Sequence, residues 1–200
     1  MRVLLVGATG TIGSAVAAAL SPHHEVIPVA YSKGANRVDL ADPASIREMY
    51  RKLGRVDAVI CAAGVAKFGP LQSLTDADFS ISLSNKLMGQ VNLVRLGFDY
   101  VTNGGSFTLT SGMLSQRPMV GSAAISMVNA GIEGFVRAAA LEAPRLIRVN
   151  VVSPGWVTET LEALEMDTLE GTRAETVAHA YAQALDVSGT GKVIEAFGAR

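Results

Sequence analysis

Apolar and polar positions fall in blocks along this 200-residue chain. The runs Arg2-Val3-Leu4-Leu5-Val6 and Val56 to Cys61 are almost continuously aliphatic and predict strands buried on both faces. Between them Ile46, Met49, Tyr50 and Leu53 recur at helical spacing, which predicts an amphipathic helix. Asp42 and Pro43 open that helix as N-cap and first helical residue, and Gly54 stops it. Further strands are predicted at 25–30, where Pro28 is the weak point, and at 37–40, 105–110, 148–152 and 192–195. Further helices are predicted after a cap at Thr75 and over 84–101, 121–143 and 173–185. Strand–helix alternation of this kind predicts a single doubly wound α/β domain over 1–200, with about seven parallel strands and helices on both faces.

The first strand stops at Gly7-Ala8-Thr9-Gly10-Thr11-Ile12-Gly13, and an alanine-rich helix follows at once. Glycines three apart at a strand-to-helix corner permit a sharp turn and close approach of a pyrophosphate, and the helix N-terminus offers it free N–H groups. A dinucleotide is the ligand this implies; a tight connection with no ligand is the plainer alternative. In sheets of this type ligands lie beyond the carboxyl ends of the strands. The loops that matter are therefore 7–13, 30–37, 61–68, 110–121 and 153–160.

Composition narrows the picture. A net charge of −1 without a basic stripe argues against nucleic acid. Cys61 is the one cysteine, so neither an internal disulfide nor a cysteine-based metal site is expected. No apolar run approaches the length of a membrane span, and Met1 runs straight into the first strand, so a cytoplasmic protein without a leader is expected. His23, His24 and His179 have no partners at ligand spacing and are expected to be structural or solvated.

Five segments in order resemble the short-chain dehydrogenase/reductase family across nearly the whole chain: the glycine turn; Asp39-Leu40, where that family places an acid near the adenine; Cys61-Ala62-Ala63-Gly64; Ala130 to Glu142; and Arg148 to Thr158. The resemblance implies a Rossmann-type fold, hydride transfer and a nicotinamide cofactor. Cofactor contacts are then expected from Gly7, Thr9, Gly10, Thr11, Ile12, Gly13, Ser32, Lys33, Asp39, Leu40, Ala62, Ala63, Gly64, Asn129, Pro154, Gly155, Trp156, Val157 and Thr158. Tyr31-Ser32-Lys33-Gly34 carries no acid for a ribose 2′-hydroxyl, whereas Ser32, Lys33 and Arg37 suit a 2′-phosphate, so NADP(H) is expected over NAD(H).

The catalytic positions depart from the family. Its tyrosine and lysine fall on Ile125 and Asn129, its serine on Ser111, and its helix asparagine on Lys86, with Asn85 one place away. Ser111 is expected to orient a substrate oxygen, and the proton to come from Lys86, if burial lowers its pKa, or from water; for Lys86 the alternatives are a surface cation or a binder of phosphate, ribose or an anionic substrate, and for Ser111 a strand-end cap. Asn129 is expected at a ribose hydroxyl, and Ser122 in packing. The function expected is an oxidoreductase acting on a small carbonyl or activated double bond; the alternative is a dinucleotide-binding sensor without turnover. Glu159 to Gly171 offers little material for a lid, so an open pocket is expected. The resemblance also implies a homodimer or homotetramer through helices 84–101 and 121–143.

Overall fold

The computed structural model describes residues 1–197. Its elements are β1 (Arg2–Val6), α1 (Thr11–Leu20), β2 (Glu25–Val29), α2 (Pro43–Leu53), β3 (Val56–Cys61), α3 (Asp76–Ile81), α4 (Met88–Gly97), β4 (Val101–Thr110), α5 (Ala123–Glu142), β5 (Arg148–Pro154), α6 (Thr158–Ala163), α7 (Ala174–Asp186) and β6 (Val193–Ala196). All strand pairings are parallel, in the order β2-β1-β3-β4-β5-β6. The order reverses beside β1, so a crevice opens between the carboxyl ends of β1 and β3.

Alternation along each strand divides the core between the two sheet faces. Leu4, Val6, Val59, Phe107 and Val149 point to α2, α4 and α5, while Val3, Leu5, Ala58, Ile60 and Val152 point to α1 and α7. Each fully buried aliphatic side chain of this kind contributes roughly 1.5–3 kcal/mol. Tyr50 of α2 reaches across to α4, and its hydroxyl donates to Leu93 O at 2.7 Å. Asp42 caps α2 by accepting from the Ala44 N–H at 2.8 Å, and Thr75 forms a capping box with Asp78 at α3.

The sheet has six strands among the described residues, not seven. The predicted strand 37–40 reduces to one bridge, Ala30 to Arg37, because the chain turns there. Asp39 Oδ1 accepts from the Ala41 N–H at 2.9 Å and the Asp39 N–H donates to Ser45 Oγ at 2.9 Å, which ties the segment to α2 instead of a strand. The helix predicted over 84–101 is also broken up. Ser82–Leu87 is a π-helical turn, α4 follows, and Phe98–Tyr100 is a 3₁₀ turn.

The expectation about apolar runs needs correction at α5. Its 20 residues have a hydropathy of 1.2, enough to cross a membrane by length and composition. Here Val128, Ile132 and Val136 are fully buried against the sheet, and the helix carries Glu133 and Arg137 along its length.

Candidate active site

The chain leaves β1 at Gly7 with φ +89°, where a Cβ would stand 2.7 Å from Ala62 O. A Cβ on Gly13 would run into the Gly7 carbonyl. The corner is therefore drawn against the ends of β1 and β3, with bare backbone at its mouth. Gly10 caps α1 without a side-chain hydrogen bond, and no acid occupies the first turn. The first internal bond runs from the Ser14 N–H to Gly10 O at 2.8 Å, so the amides of Thr11, Ile12 and Gly13 open the helix with no partner inside it. Thr9, Gly10 and Thr11 are exposed.

Beside the corner lies a mainly apolar cavity of about 430 Å³, whose walls include Tyr31, Val38, Asp39, Leu40, Ala63 and Gly64. Ser32 and Lys33 do not line it; they stand exposed on the loop that starts at Tyr31. Arg37 lines a separate surface groove of about 330 Å³ with Ser45, Glu48 and Lys52. Ala62 packs behind the glycine turn.

The π-helical turn carries Lys86 to the end of β4. Lys86 is 8% exposed, its stem lies against Gly64, and its Nζ donates to Ser111 O over a long 3.5 Å. Burial brings its pKa down from 10.5 to about 8, with Cys61 nearby opposing that shift. Burial pushes the Cys61 thiol up to about 11. Gln90 fixes this arrangement: its Nε2 donates to Thr110 O at 2.9 Å and Lys86 O at 3.2 Å, and its Oε1 accepts from the Thr110 N–H at 2.7 Å. Thr110 Oγ1 in turn donates to Cys61 O at 2.5 Å and meets the Tyr181 hydroxyl at 2.6 Å. The loop after β3 is tied down by the Val65 N–H to Asn85 Oδ1 at 2.7 Å and the Lys67 N–H to Ser82 Oγ at 3.0 Å.

A small cavity of about 120 Å³ brings together Ser111, Ile125, Asn129, Pro154, Gly155 and Trp156. Asn129 is 2% exposed; its Nδ2 donates to Gly112 O at 3.5 Å, and its Oδ1 is buried with no partner. The Ser111 hydroxyl donates to Glu133 Oε1 at 3.0 Å, so its proton is directed at α5 and not at the cleft. Ser122 is buried near the start of α5, where it accepts from the Met119 N–H and from Ser126 Oγ.

Trp156 meets Phe68 edge to face, ring centres 6.2 Å apart. β5 continues through Pro154, and Val157 bridges to Thr172 before Thr158 starts α6. This bridge ties Thr172 to the end of β5, while 164–167, 169 and 170 stay exposed at the rim. Leu169, Glu170, Gly171 and Thr172 line an outer cavity of about 320 Å³ with Met113, Arg117, Trp156 and Phe197. A second outer cavity of about 410 Å³ adds Leu114 and Met119.

Sequence reading missed Gln90, Glu133, Arg117 and Tyr181. The signals were faint: Gln90 lies one helical turn after Lys86, and Glu133 one turn after Asn129. Among the described residues no group of His, Cys, Asp and Glu could hold a metal ion.

The family model described as enoyl-(acyl carrier protein) reductase matches residues 7–193. The protein lin1944 from Listeria innocua has a similar crystal structure, at 40% identity and a TM-score of 0.94, covering 98% of each chain. A small-chain dehydrogenase crystallised in complex with NADPH matches at 29% identity and a TM-score of 0.89, covering 98% of this chain and 95% of that one. The acetoacetyl-CoA reductase of Synechocystis sp. is 32% identical over 141 residues, 68% of this chain and 59% of its own length. The hydroxynaphthalene reductase of Aspergillus fumigatus is 32% identical over 113 residues, 56% of this chain and 41% of its own length. The matched region thus spans about half the length of these relatives.

Proposed function

This chain belongs to the short-chain dehydrogenase/reductase family, and from that premise we propose that it is an NADP(H)-dependent oxidoreductase acting on a small carbonyl or activated double bond. The observation that carries the proposal is the buried Lys86, held at the end of β4 between the dinucleotide corner and the small cavity of Asn129 and Ser111.

The residues present fit a dinucleotide. The uncapped amides of Thr11, Ile12 and Gly13 would hold the pyrophosphate, and the cavity of Val38, Asp39, Leu40, Ala63 and Gly64 would hold the adenosine. The unpartnered Asn129 Oδ1 would accept from a ribose hydroxyl. Pro154, Gly155, Trp156, Val157 and Thr158 would enclose the nicotinamide end. Ser32, Lys33 and Arg37, with no acid ending β2, would favour a 2′-phosphate. A structural relative was crystallised with NADPH.

When bound, the cofactor supplies or takes the hydride. The chain must then manage one proton. Ile125 stands where the family's tyrosine falls and has no proton to transfer. Ser111 has its own proton engaged by Glu133, so while that bond holds it cannot donate to a carbonyl oxygen as expected of it; it can accept from the alcohol in the reverse reaction. Lys86 remains as donor: with a pKa of about 8 it is an ammonium at neutral pH that gives up its proton readily. Trp156, which lines the small cavity and packs edge to face on Phe68, would shield the nicotinamide end from water.

Ile125 also favours a second reading, a dinucleotide-binding sensor without turnover. Two experiments separate the readings: calorimetry with NADPH and NADH, and NADPH oxidation with 3-oxoacyl thioesters, quinones and enones. Binding with turnover supports the enzyme; binding without turnover on any of them supports the sensor. The exposed faces of α4 and α5, with Met88, Met127, Ala130, Gly134 and Leu141, would pair copies into a homodimer or homotetramer. Sedimentation as a monomer at micromolar concentration would exclude that.

A further inference from the structure

Helix α5 carries one polar stripe through an otherwise apolar buried side: Asn129, then Glu133 one turn later, with Arg137 a turn beyond. Glu133 is 4% exposed. Burying an acid is unfavourable unless its oxygens are hydrogen-bonded, and a leucine would fill this place at less cost. One of its oxygens is engaged twice by one short segment, and the other faces its own helix. Oε1 accepts from Ser111 Oγ at 3.0 Å and from Ser115 Oγ at 2.6 Å, and Oε2 faces the half-exposed Arg137 Nη1 at 4.0 Å. Asn129 Nδ2 reaches Gly112 O of the same segment. Three points within residues 111–115 are thus pinned to two consecutive turns of α5.

That segment is the inner wall of the substrate cleft. Its 3₁₀ turn, Met113–Ser115, presents Met113 and Leu114 to the cavities, and Arg117 follows immediately. The turn is also secured by its own main-chain bonds, Ser115 N–H to Gly112 O at 3.0 Å and Arg117 N–H to Met113 O at 2.9 Å, by burial of Leu114, and by the Arg117 guanidinium over the Phe197 ring at 5.1 Å; the side-chain hydrogen bonds from α5 are what fix Ser111 and Ser115.

We propose that Glu133 is a positioning residue: its carboxylate orients the Ser111 hydroxyl and, through Ser115, anchors the turn that carries Met113, Leu114 and Arg117 into the substrate cleft. This rests on the oxidoreductase reading for its catalytic consequence, but not for its structural one. With the Ser111 proton held by Glu133, its oxygen is an acceptor of fixed direction, able to take a hydrogen bond from an alcohol but not to donate one to a carbonyl. With Ser115 held, the cleft wall is preformed before substrate arrives and costs nothing to order on binding.

The test uses the chain's one tryptophan, Trp156, which shares two cavities with Met113 and Arg117. Acrylamide quenching of Trp156 in the full chain without ligand reads the wall directly. Glu133→Ala and Ser115→Ala are expected to raise the quenching constant about two-fold or more, and Glu133→Gln, which keeps an acceptor oxygen, less than Glu133→Ala. In turnover, Ser115→Ala is expected to raise the substrate KM with kcat little changed, whereas Glu133→Ala lowers kcat by about ten-fold or more. NADPH affinity should stay within about two-fold in both. If Glu133→Ala does not fold, Ser115→Ala and Glu133→Gln decide. Unchanged quenching in folded Ser115→Ala overturns the proposal. An inactive wild type would defeat the oxidoreductase reading and leave the quenching result to decide this one.

Discussion

The Lys86 ammonium lies 3.5 Å from the main-chain oxygen of Ser111, at the point where the π-helical turn before α4 meets the end of β4. A π-turn widens the helix by one residue and re-aims what it carries. Here it turns a lysine inward, where burial lowers its pKa to about 8. Replacing it with an apolar isostere should separate function from stability. Lys86→Met is expected to lower kcat by about 100-fold or more, the scale of a lost general acid. It should still bind NADPH, which calorimetry checks.

The same pKa fixes a pH dependence. As proton donor, Lys86 must be charged, so reduction should proceed at a plateau below about pH 8 and fall above it. The reverse oxidation, which needs the neutral amine as acceptor, should rise through the same region. The effect on stability has the opposite sense from a salt bridge. The folded pKa is about 8 and the unfolded one near 10.5, so the folded state binds fewer protons between them. Below pH 8 the buried ammonium costs roughly 3 kcal/mol, and this cost is relieved as pH rises toward 10.5. Thermal melts at pH 7 should therefore show Lys86→Met at least as stable as the wild type.

Asn129 offers a cleaner separation, because its Oδ1 is buried without a partner. An unpaired buried carbonyl oxygen costs about 1–3 kcal/mol, which an apolar replacement recovers. Asn129→Leu is expected to leave the melting temperature unchanged or higher while weakening NADPH about ten-fold. Titration calorimetry beside a thermal melt checks both.

The glycine corner predicts the reverse pattern. A methyl group on Gly13 collides with the Gly7 carbonyl, so the corner must open. Gly13→Ala should destabilise the fold by about 2 kcal/mol or more and abolish dinucleotide binding. Denaturant unfolding and calorimetry on the same sample test this.

On the rim, Lys33 and Arg37 are exposed and contribute little to folding. Reversing both to glutamate should weaken NADPH by about ten-fold or more and leave NADH within about two-fold. Equal loss for both cofactors would remove the basis for a 2′-phosphate preference.

What the sequence made legible was local. The glycine turn, the Asp42-Pro43 start of α2 and the aliphatic runs of β1 and β3 each encode their element within a few residues, and each is present. Residues 37–40 read as a strand because Val38 and Leu40 alternate with polar neighbours. The turn made by Asp39 with Ala41 and Ser45 overrode that pattern. The candidate site was legible where one loop carries it, as at Asp39-Leu40 or Trp156. It was illegible where distant segments meet. No local pattern shows that Glu133 will meet Ser111 and Ser115, that Gln90 will bridge Lys86 to Thr110, or that Thr172 will bridge to Val157.

The most direct measurement is NADPH oxidation across pH 6–10 by the wild type and Lys86→Met, using 3-oxoacyl thioesters, quinones and enones as acceptors. The account predicts wild-type turnover that holds below about pH 8 and declines above it, and a Lys86→Met protein that binds NADPH but barely turns over. A Lys86→Met protein as fast as the wild type, or a wild type that binds NADPH and consumes none with any acceptor, would contradict it.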